Sequence, residues 1–300
     1  MRSDLHRAGE YSSLTEAICD LYGPERTVRD RRPVSGGDIN DAYTLMLDDG
    51  SVLFMKSNTA SAFDMFRAEA AGLAAIRATG TIRTPGVLAA GEDGSRSFLL
   101  MEYLQGGRRI RDYWETFADE LAMMHKAETD PEIGYGFARD NYIGSGKQIN
   151  TPHSKWIPFF RDCRLAPQLH AAKGYFSAED LNRAEYILAH LDRFLEEPER
   201  PSLVHGDLWS GNMITGNDGK GWLIDPAVYY GHPEVDIAMT ELFGGFPRAF
   251  YEAYEDTGML QPGYGDRRDL YNLYQLLNHL NMFGRGYLPE VRRILKRYAG

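Results

Sequence analysis

The texture of this chain changes after Gln105-Gly106-Gly107, from mostly strand-like to mostly helical, and that switch constrains the architecture more than any other feature of its 300 residues. Upstream, Thr27 to Val34, Ala42 to Leu47, Ser51 to Lys56, Val87 to Gly91 and Phe98 to Leu104 read as strands, with Asp48-Asp49-Gly50 as a hairpin turn. One Ala-rich helix is inserted, Phe63 to Ala78, with Phe66, Leu73 and Ile76 near one face. A shorter helix precedes the strands: Leu14, Ala17, Ile18 and Leu21 recur at helical spacing until Gly23-Pro24. Downstream the period is helical over Trp114 to Ala127, Ala178 to Leu195 and Phe246 to Tyr254. Leu270, Leu273, Tyr274, Leu277 and Leu280 follow the rule of a buried helix. Ser202 to Val204 and Trp222 to Ile224 are short buried strands between the helices. The expected fold class is α+β in two lobes. Residues 1–104 form a small antiparallel sheet with one helix, preceded by a short helix, and residues 105–300 form a larger helical lobe. A cleft between two lobes is a favoured ligand site.

Composition narrows the function. At roughly 150 residues per domain the length suits two lobes with a substantial core. Hydrophobic residues at 43% and charged residues at 25% exclude disordered, collagenous and coiled-coil chains. A net charge of −10 argues against a nucleic-acid partner and mildly favours cationic small molecules. Cys19 and Cys163, the two cysteines, give neither a disulfide framework nor a Cys-rich zinc site. Met1 to Leu14 lacks an apolar signal core, and the longest apolar run, around Phe98 to Leu104, contains Glu102. The expectation is a cytoplasmic monomer without a membrane partner.

The strongest chemical signal is Val204-His205-Gly206-Asp207-Leu208-Trp209-Ser210-Gly211-Asn212, followed by Leu223-Ile224-Asp225-Pro226. An apolar strand leads into His-Gly-Asp, an Asn stands five residues after that Asp, and a second apolar strand ends in Asp225. A polar turn between two strands is the plainer reading of either Asp alone; the complete order is much rarer. Phosphoryl transfer needs a carboxylate near the attacking hydroxyl, hard oxygen ligands for Mg²⁺, and positive charge on the phosphates. Asp207 suits the first role, Asn212 and Asp225 the second.

The positive charge comes from Lys56, which ends an apolar strand and is the first of only seven lysines. Such a lysine is costly to desolvate unpaired, and Glu69 on the inserted helix is its natural partner. An exposed edge lysine and a solvated glutamate are the alternatives. Gly36-Gly37 lies before the Ala42–Leu47 strand, where glycines let backbone N–H groups approach phosphate; without a full Gly-x-Gly-x-x-Gly pattern, a simple turn remains open. Glu102, Tyr103 and Leu104 sit at the interlobe hinge, where backbone groups suit an adenine edge; a plain strand end is the other reading.

On these residues the chain resembles the fructosamine (ketosamine) kinase family, a branch of the protein-kinase-like, aminoglycoside-phosphotransferase-like fold. Gly36-Gly37, Lys56, Met101-Glu102, Asp140 to Gly144, Gln148, Asn150, the His205–Asn212 run, Asp225-Pro226-Ala227 and Asp236-Ile237-Ala238 carry the likeness, over about residues 10–295. The resemblance implies ATP- and Mg²⁺-dependent phosphorylation of the 3-hydroxyl of a small-molecule or protein-bound ketosamine, after which the adduct eliminates and frees the amine. It also implies that Asp207 orients or deprotonates the hydroxyl, and that Asn212 and Asp225 hold Mg²⁺. Lys56 with Glu69 would hold phosphates, and residues 102–104 the adenine. Trp209 and His279 would face the substrate, His279 otherwise being a core histidine, and Asp236 would buttress the Asp207 loop. Two positions depart from the pattern: Asp38 stands where some members carry a redox-active Cys, and Lys147 where relatives often have Pro. Another small-molecule kinase, for an aminoglycoside or choline-like acceptor, and a nucleotide-binding pseudokinase are the competing readings.

Overall fold

The computed structural model describes residues 9–35 and 39–300. Gly9–Tyr11 (β1), helix Leu14–Tyr22 (α1), Val28–Val34 (β2), Asp41–Leu47 (β3), Val52–Thr59 (β4), helix Phe63–Ala78 (α2), Val87–Asp93 (β5) and Arg96–Glu102 (β6) come first. The strands join one sheet in the order β1-β5-β6-β4-β3-β2. Strands β2 to β6 pair antiparallel as expected. The sheet as a whole is mixed, because β1 adds a parallel edge strand on β5, with Gly9 opposite Ala89 and Tyr11 opposite Gly91. Three residues are too few to show a period. Their docking depends on Gly91, where a β-carbon would lie 2.3 Å from the Tyr11 carbonyl oxygen.

The continuous apolar run Phe98 to Met101 is explained by burial on both faces. Phe98 and Leu100 pack with Leu45, Leu47, Leu53 and Met55 beneath α1, through Ala17 and Ile18. Leu99 and Met101 pack with Phe66 and Leu73 of α2. Each such side chain contributes on the order of 1.5–3 kcal/mol. Strand parity then decides the polar positions. In β4, Leu53 and Met55 face α1, so Phe54 and Lys56 face α2.

The larger part begins with Tyr113–Lys126 (α3), the hairpin Asn141–Ile143 (β7) and Gly146–Gln148 (β8), and a helical stretch of Trp156–Phe159 (α4) and Ala166–Ala172 (α5) joined by a π-helical segment. Ala178–Ala189 (α6), Ser202–Val204 (β9), Met213–Thr215 (β10), Gly221–Leu223 (β11), Tyr229–Gly231 (β12), Glu234–Leu242 (α7), Arg248–Asp256 (α8), Tyr264–Phe283 (α9) and Leu288–Ala299 (α10) follow. β9 pairs with β12 and β10 with β11. Helix α9 is the spine: Leu270, Leu273, Leu277 and Leu280 are fully buried. Helix α2 locks the sheet onto this part. Its Ile76 joins Phe117, Leu121 and Leu223 in one cluster. Its Gly72 lies so close to the Asp225 segment that a β-carbon would meet Pro226 at 3.2 Å. No helix among the described residues is long and apolar enough to cross a membrane.

Candidate active site

Lys56 emerges from β4 toward α2, and its Nζ donates to Glu69 Oε1 at 2.7 Å and to Asp225 Oδ1. Glu69 is 13 residues away in sequence and Asp225 169. Lys56 and Glu69 are buried, while the Asp225 side chain keeps 44% of its surface open. Burial alone would lower the Lys56 pKa; the two carboxylates outweigh it and raise the value, so the ammonium persists.

Strand β9 delivers His205-Gly206-Asp207 into a turn whose backbone is anchored on every side. Asp236 of α7 accepts from the His205 amide at 2.7 Å and the Gly206 amide at 2.9 Å. Gln275 Nε2 of α9 donates to the Gly206 carbonyl at 2.9 Å. Gly206 has φ +81°, and a β-carbon there would lie 2.1 Å from the Ala227 carbonyl oxygen, so no other residue fits. The His205 ring bridges the motif to the next strand: Nε2–H donates to the Ile224 carbonyl at 2.9 Å, and Nδ1 accepts from the Asp207 amide at 3.3 Å. Burial lowers its pKa, which keeps the ring neutral for this double role.

Asp207 is half-buried by surface yet enclosed deeply enough that burial pushes its carboxyl up to about 7. The hydrogen bond from Asn212 opposes that rise, and the charges of Asp225 and Asp236 add to it. Asn212 Nδ2 donates to Asp207 Oδ2 at 2.9 Å and to its carbonyl at 2.8 Å. The β10–β11 hairpin explains why residues 212 and 225 meet. Met213 is opposite Leu223, and just beyond them the Ile224 amide donates to the Asn212 carbonyl at 3.1 Å. Asp225 has φ 53°, the one positive value outside glycine among the described residues. Asp tolerates that conformation, and such outliers cluster at functional sites.

The donor set fits a hard divalent cation. With its amide nitrogen committed to Asp207, Asn212 keeps Oδ1 as an oxygen donor, and the half-open Asp225 carboxylate is a second. Two protein oxygens are a usual complement for Mg²⁺, which completes its shell with water and phosphate. Asp225 Oδ1 is engaged by Lys56, so metal and ammonium would compete for it.

Other expected residues are arranged more loosely. Gly36 and Gly37, with Asp38, lie outside the described residues. Glu102 is committed to the adjoining loop: its amide donates to the Gly86 carbonyl at 2.8 Å and its carboxylate accepts from the Gly86 amide at 3.1 Å. Tyr103 is exposed and Leu104 half-buried. The Trp209 indole is exposed and lies over Gly211, where a β-carbon would come within 2.3 Å of the ring. His279 sits one turn beyond Gln275, its Nδ1–H donating to the Gln275 carbonyl at 2.8 Å. Phe243, Phe283 and Tyr287 surround it, with centroids at 4.8, 5.5 and 5.1 Å.

Several supporting residues have no role assigned from the sequence, although Asn141 and Gln148 stand among those that carry the family likeness. His125 donates from Nε2 to Asp236 at 3.1 Å, and its Nδ1 accepts from the Tyr254 hydroxyl at 2.6 Å. Gln148 Nε2 donates to the Ala227 carbonyl at 3.0 Å, and Tyr274 donates to Gln148 Oε1 at 2.8 Å. Asn141 donates to the Val228 carbonyl at 2.7 Å. The available signal was the run Asn272, Gln275, Asn278 within the apolar helix α9: buried polar side chains need partners, and Gln275 holds the His205–Asp207 turn.

The architecture is that of the small-molecule phosphotransferases related to protein kinases. A macrolide 2'-phosphotransferase superposes with a TM-score of 0.61, covering 96% of both chains at 15% identity. Within that class, the chain belongs to the fructosamine kinase family, whose sequence model matches residues 11–299. It is similar to the protein-ribulosamine 3-kinase of Arabidopsis thaliana, 40% identical over 268 residues, 88% of this chain and 81% of the relative. It is also similar to the crystal structure of a candidate fructosamine-3-kinase from Haemophilus somnus. That superposition has a TM-score of 0.86 at 29% identity and covers 96% of this chain and 97% of the other. The family and fold read from the motifs therefore hold.

Proposed function

We propose that this protein is an ATP-dependent ketosamine 3-kinase. The observation that carries the reading is the meeting of Lys56, Glu69 and Asp225 beside the Asp207–Asn212 pair, from strand, helix and loops far apart in sequence. Segment 1–104 serves as the nucleotide lobe and segment 105–300 as the catalytic and substrate lobe. Lys56, aimed by Glu69, binds the donor phosphates; Gly36-Gly37, just before β3 in the sequence, is the chain's candidate for a backbone contact with them. The backbone from Glu102 to Leu104 meets the adenine edge; with the Glu102 amide spent on Gly86, the contact falls on Tyr103 and Leu104.

Asn212 and Asp225 hold Mg²⁺, which when bound neutralises charge on the phosphate oxygens. Asp207 accepts the proton of the sugar 3-hydroxyl as it attacks. A carboxyl poised near 7 by burial is a stronger base than an exposed one and is still ionised above neutrality. Trp209 stacks on the sugar or its protonated amine, and His279 faces the same acceptor. Transfer makes the 3-phosphate a leaving group, so the product loses inorganic phosphate by elimination and water then hydrolyses the remaining imine, which frees the amine and amounts to a deglycation. The chain carries every one of these groups itself, which supports a monomer, with the cytoplasm as its setting.

The test is a transfer assay with Mg²⁺·ATP against ketosamines of four to six sugar carbons, an aminoglycoside, and choline. ADP release and phosphorylated product with ketosamines alone are expected. Turnover of the aminoglycoside or choline with none of the ketosamines would move the chain to another acceptor class, and no transfer to any would leave a nucleotide binder.

A further inference from the structure

A cavity of about 490 Å³ opens beside the phosphate side of the site, and its walls are built from the neighbours of the site residues. Asn58 lies two residues beyond Lys56 on the same face of β4. Met65 lies one turn before Glu69 on α2, and Phe283 one turn beyond His279 on α9. Tyr142 and Ser145 of the β7–β8 hairpin and Met282 are also among the lining residues. The hairpin reaches Met282 because Gly144 has φ +61° and no side chain; a β-carbon there would lie 2.7 Å from Met282 Sδ. The volume suits a small organic group.

Its chemistry differs from that of the adjoining site. Among the described residues, none of the side chains lining it carries a charge. Asp64, next to Met65, is engaged by Arg139 and by the Tyr142 hydroxyl. Two methionines and a phenylalanine dominate the apolar wall, and Met side chains adapt to occupants of different shape. Phe283 is 51% exposed, so a ligand can reach it and its removal leaves the core intact.

We propose that this cavity is the carrier subsite. It takes the group flanking the glycated amine and selects apolar or aromatic flanks over charged ones. The inference rests on the ketosamine kinase reading and adds the specificity residues Met65, Met282 and Phe283.

The experiment uses the full chain and four blocked peptides carrying one ketosamine-modified lysine, with Leu, Phe, Gly or Asp beside it, together with a simple ketosamine. The Leu and Phe peptides are expected to exceed the Gly peptide in kcat/KM by about tenfold, mainly through KM, with the Asp peptide lowest. Phe283→Ala is expected to bring the Phe-to-Gly ratio close to one while the unfolding midpoint holds, and Met282→Ala to reduce it partly. Equal kcat/KM across the four peptides, or an undiminished ratio in Phe283→Ala, would overturn the subsite while turnover of the simple ketosamine left the kinase reading standing. Failure of every ketosamine would remove both.

Discussion

The two halves of the site are held in different ways. The Asp207 turn is fixed through its main chain: the buried Asp236 carboxylate of α7 and Gln275 amide of α9 bind the His205 and Gly206 backbone, and the buried His205 imidazole accepts from the Asp207 amide. The Lys56–Glu69–Asp225 group is fixed only through side-chain charges, and Asp225 is nearly half open to solvent. A base must meet its hydroxyl at one distance, so rigidity serves it. Phosphate and metal ligands must exchange partners when nucleotide binds. On the proposed reading, the ammonium that pairs with Asp225 here would move to phosphate oxygens and leave the carboxylate to the cation.

That contrast predicts a graded set of outcomes. Asp207→Asn removes the base without disturbing the anchored turn, so kcat should fall about 10²-fold or more while nucleotide affinity persists; a near-normal kcat by coupled assay would break the assignment. Lys56→Met should raise the KM for ATP by roughly tenfold or more. It should also lower stability by about 3 kcal/mol, because Glu69 is left buried and unpaired. Adding Glu69→Gln should restore the denaturation midpoint but not the KM, and recovery of both would show that Lys56 acts only in folding.

The pH profile should be milder. Protonating Asp207 removes the base, so kcat/KM for the ketosamine should fall on the acid side. The apparent pKa should be at or below about 7, since a bound cation favours the carboxylate. A flat profile from pH 5 to 8 would contradict a titrating base. Smallest of all, Tyr254→Phe deletes one buried hydrogen bond to His125 and should cost about 1 kcal/mol in urea denaturation, with kcat reduced more than KM.

The same division explains what was legible in the sequence. The cost of desolvating Lys56 unpaired, with Glu69 on the inserted helix, was enough to pair the two, and Phe63–Ala78 is a helix over the expected residues. The His205–Asn212 order and Asp225 pointed to a metal-and-base cluster, because a short hairpin forces such residues together. Less visible was whatever depends on one backbone group meeting a distant side chain. Strand β1 leaves no periodic trace and docks through Gly91. The Glu102 amide is claimed by Gly86, which the strand pattern cannot reveal. His125 and Gln275 look like unremarkable helix residues until α3, α7 and α9 pack around the turn.

The most direct test of the account is the site of phosphate attachment. Wild-type protein, Mg²⁺·ATP and a lysine-linked ribulosamine or fructosamine are incubated, and the product is read by phosphorus–proton correlation NMR. A single phosphate coupled to the proton on carbon 3 is the predicted result. Phosphate on a different hydroxyl, or an unmodified ketosamine beside consumed ATP, would contradict the claim that these residues aim the donor at that alcohol.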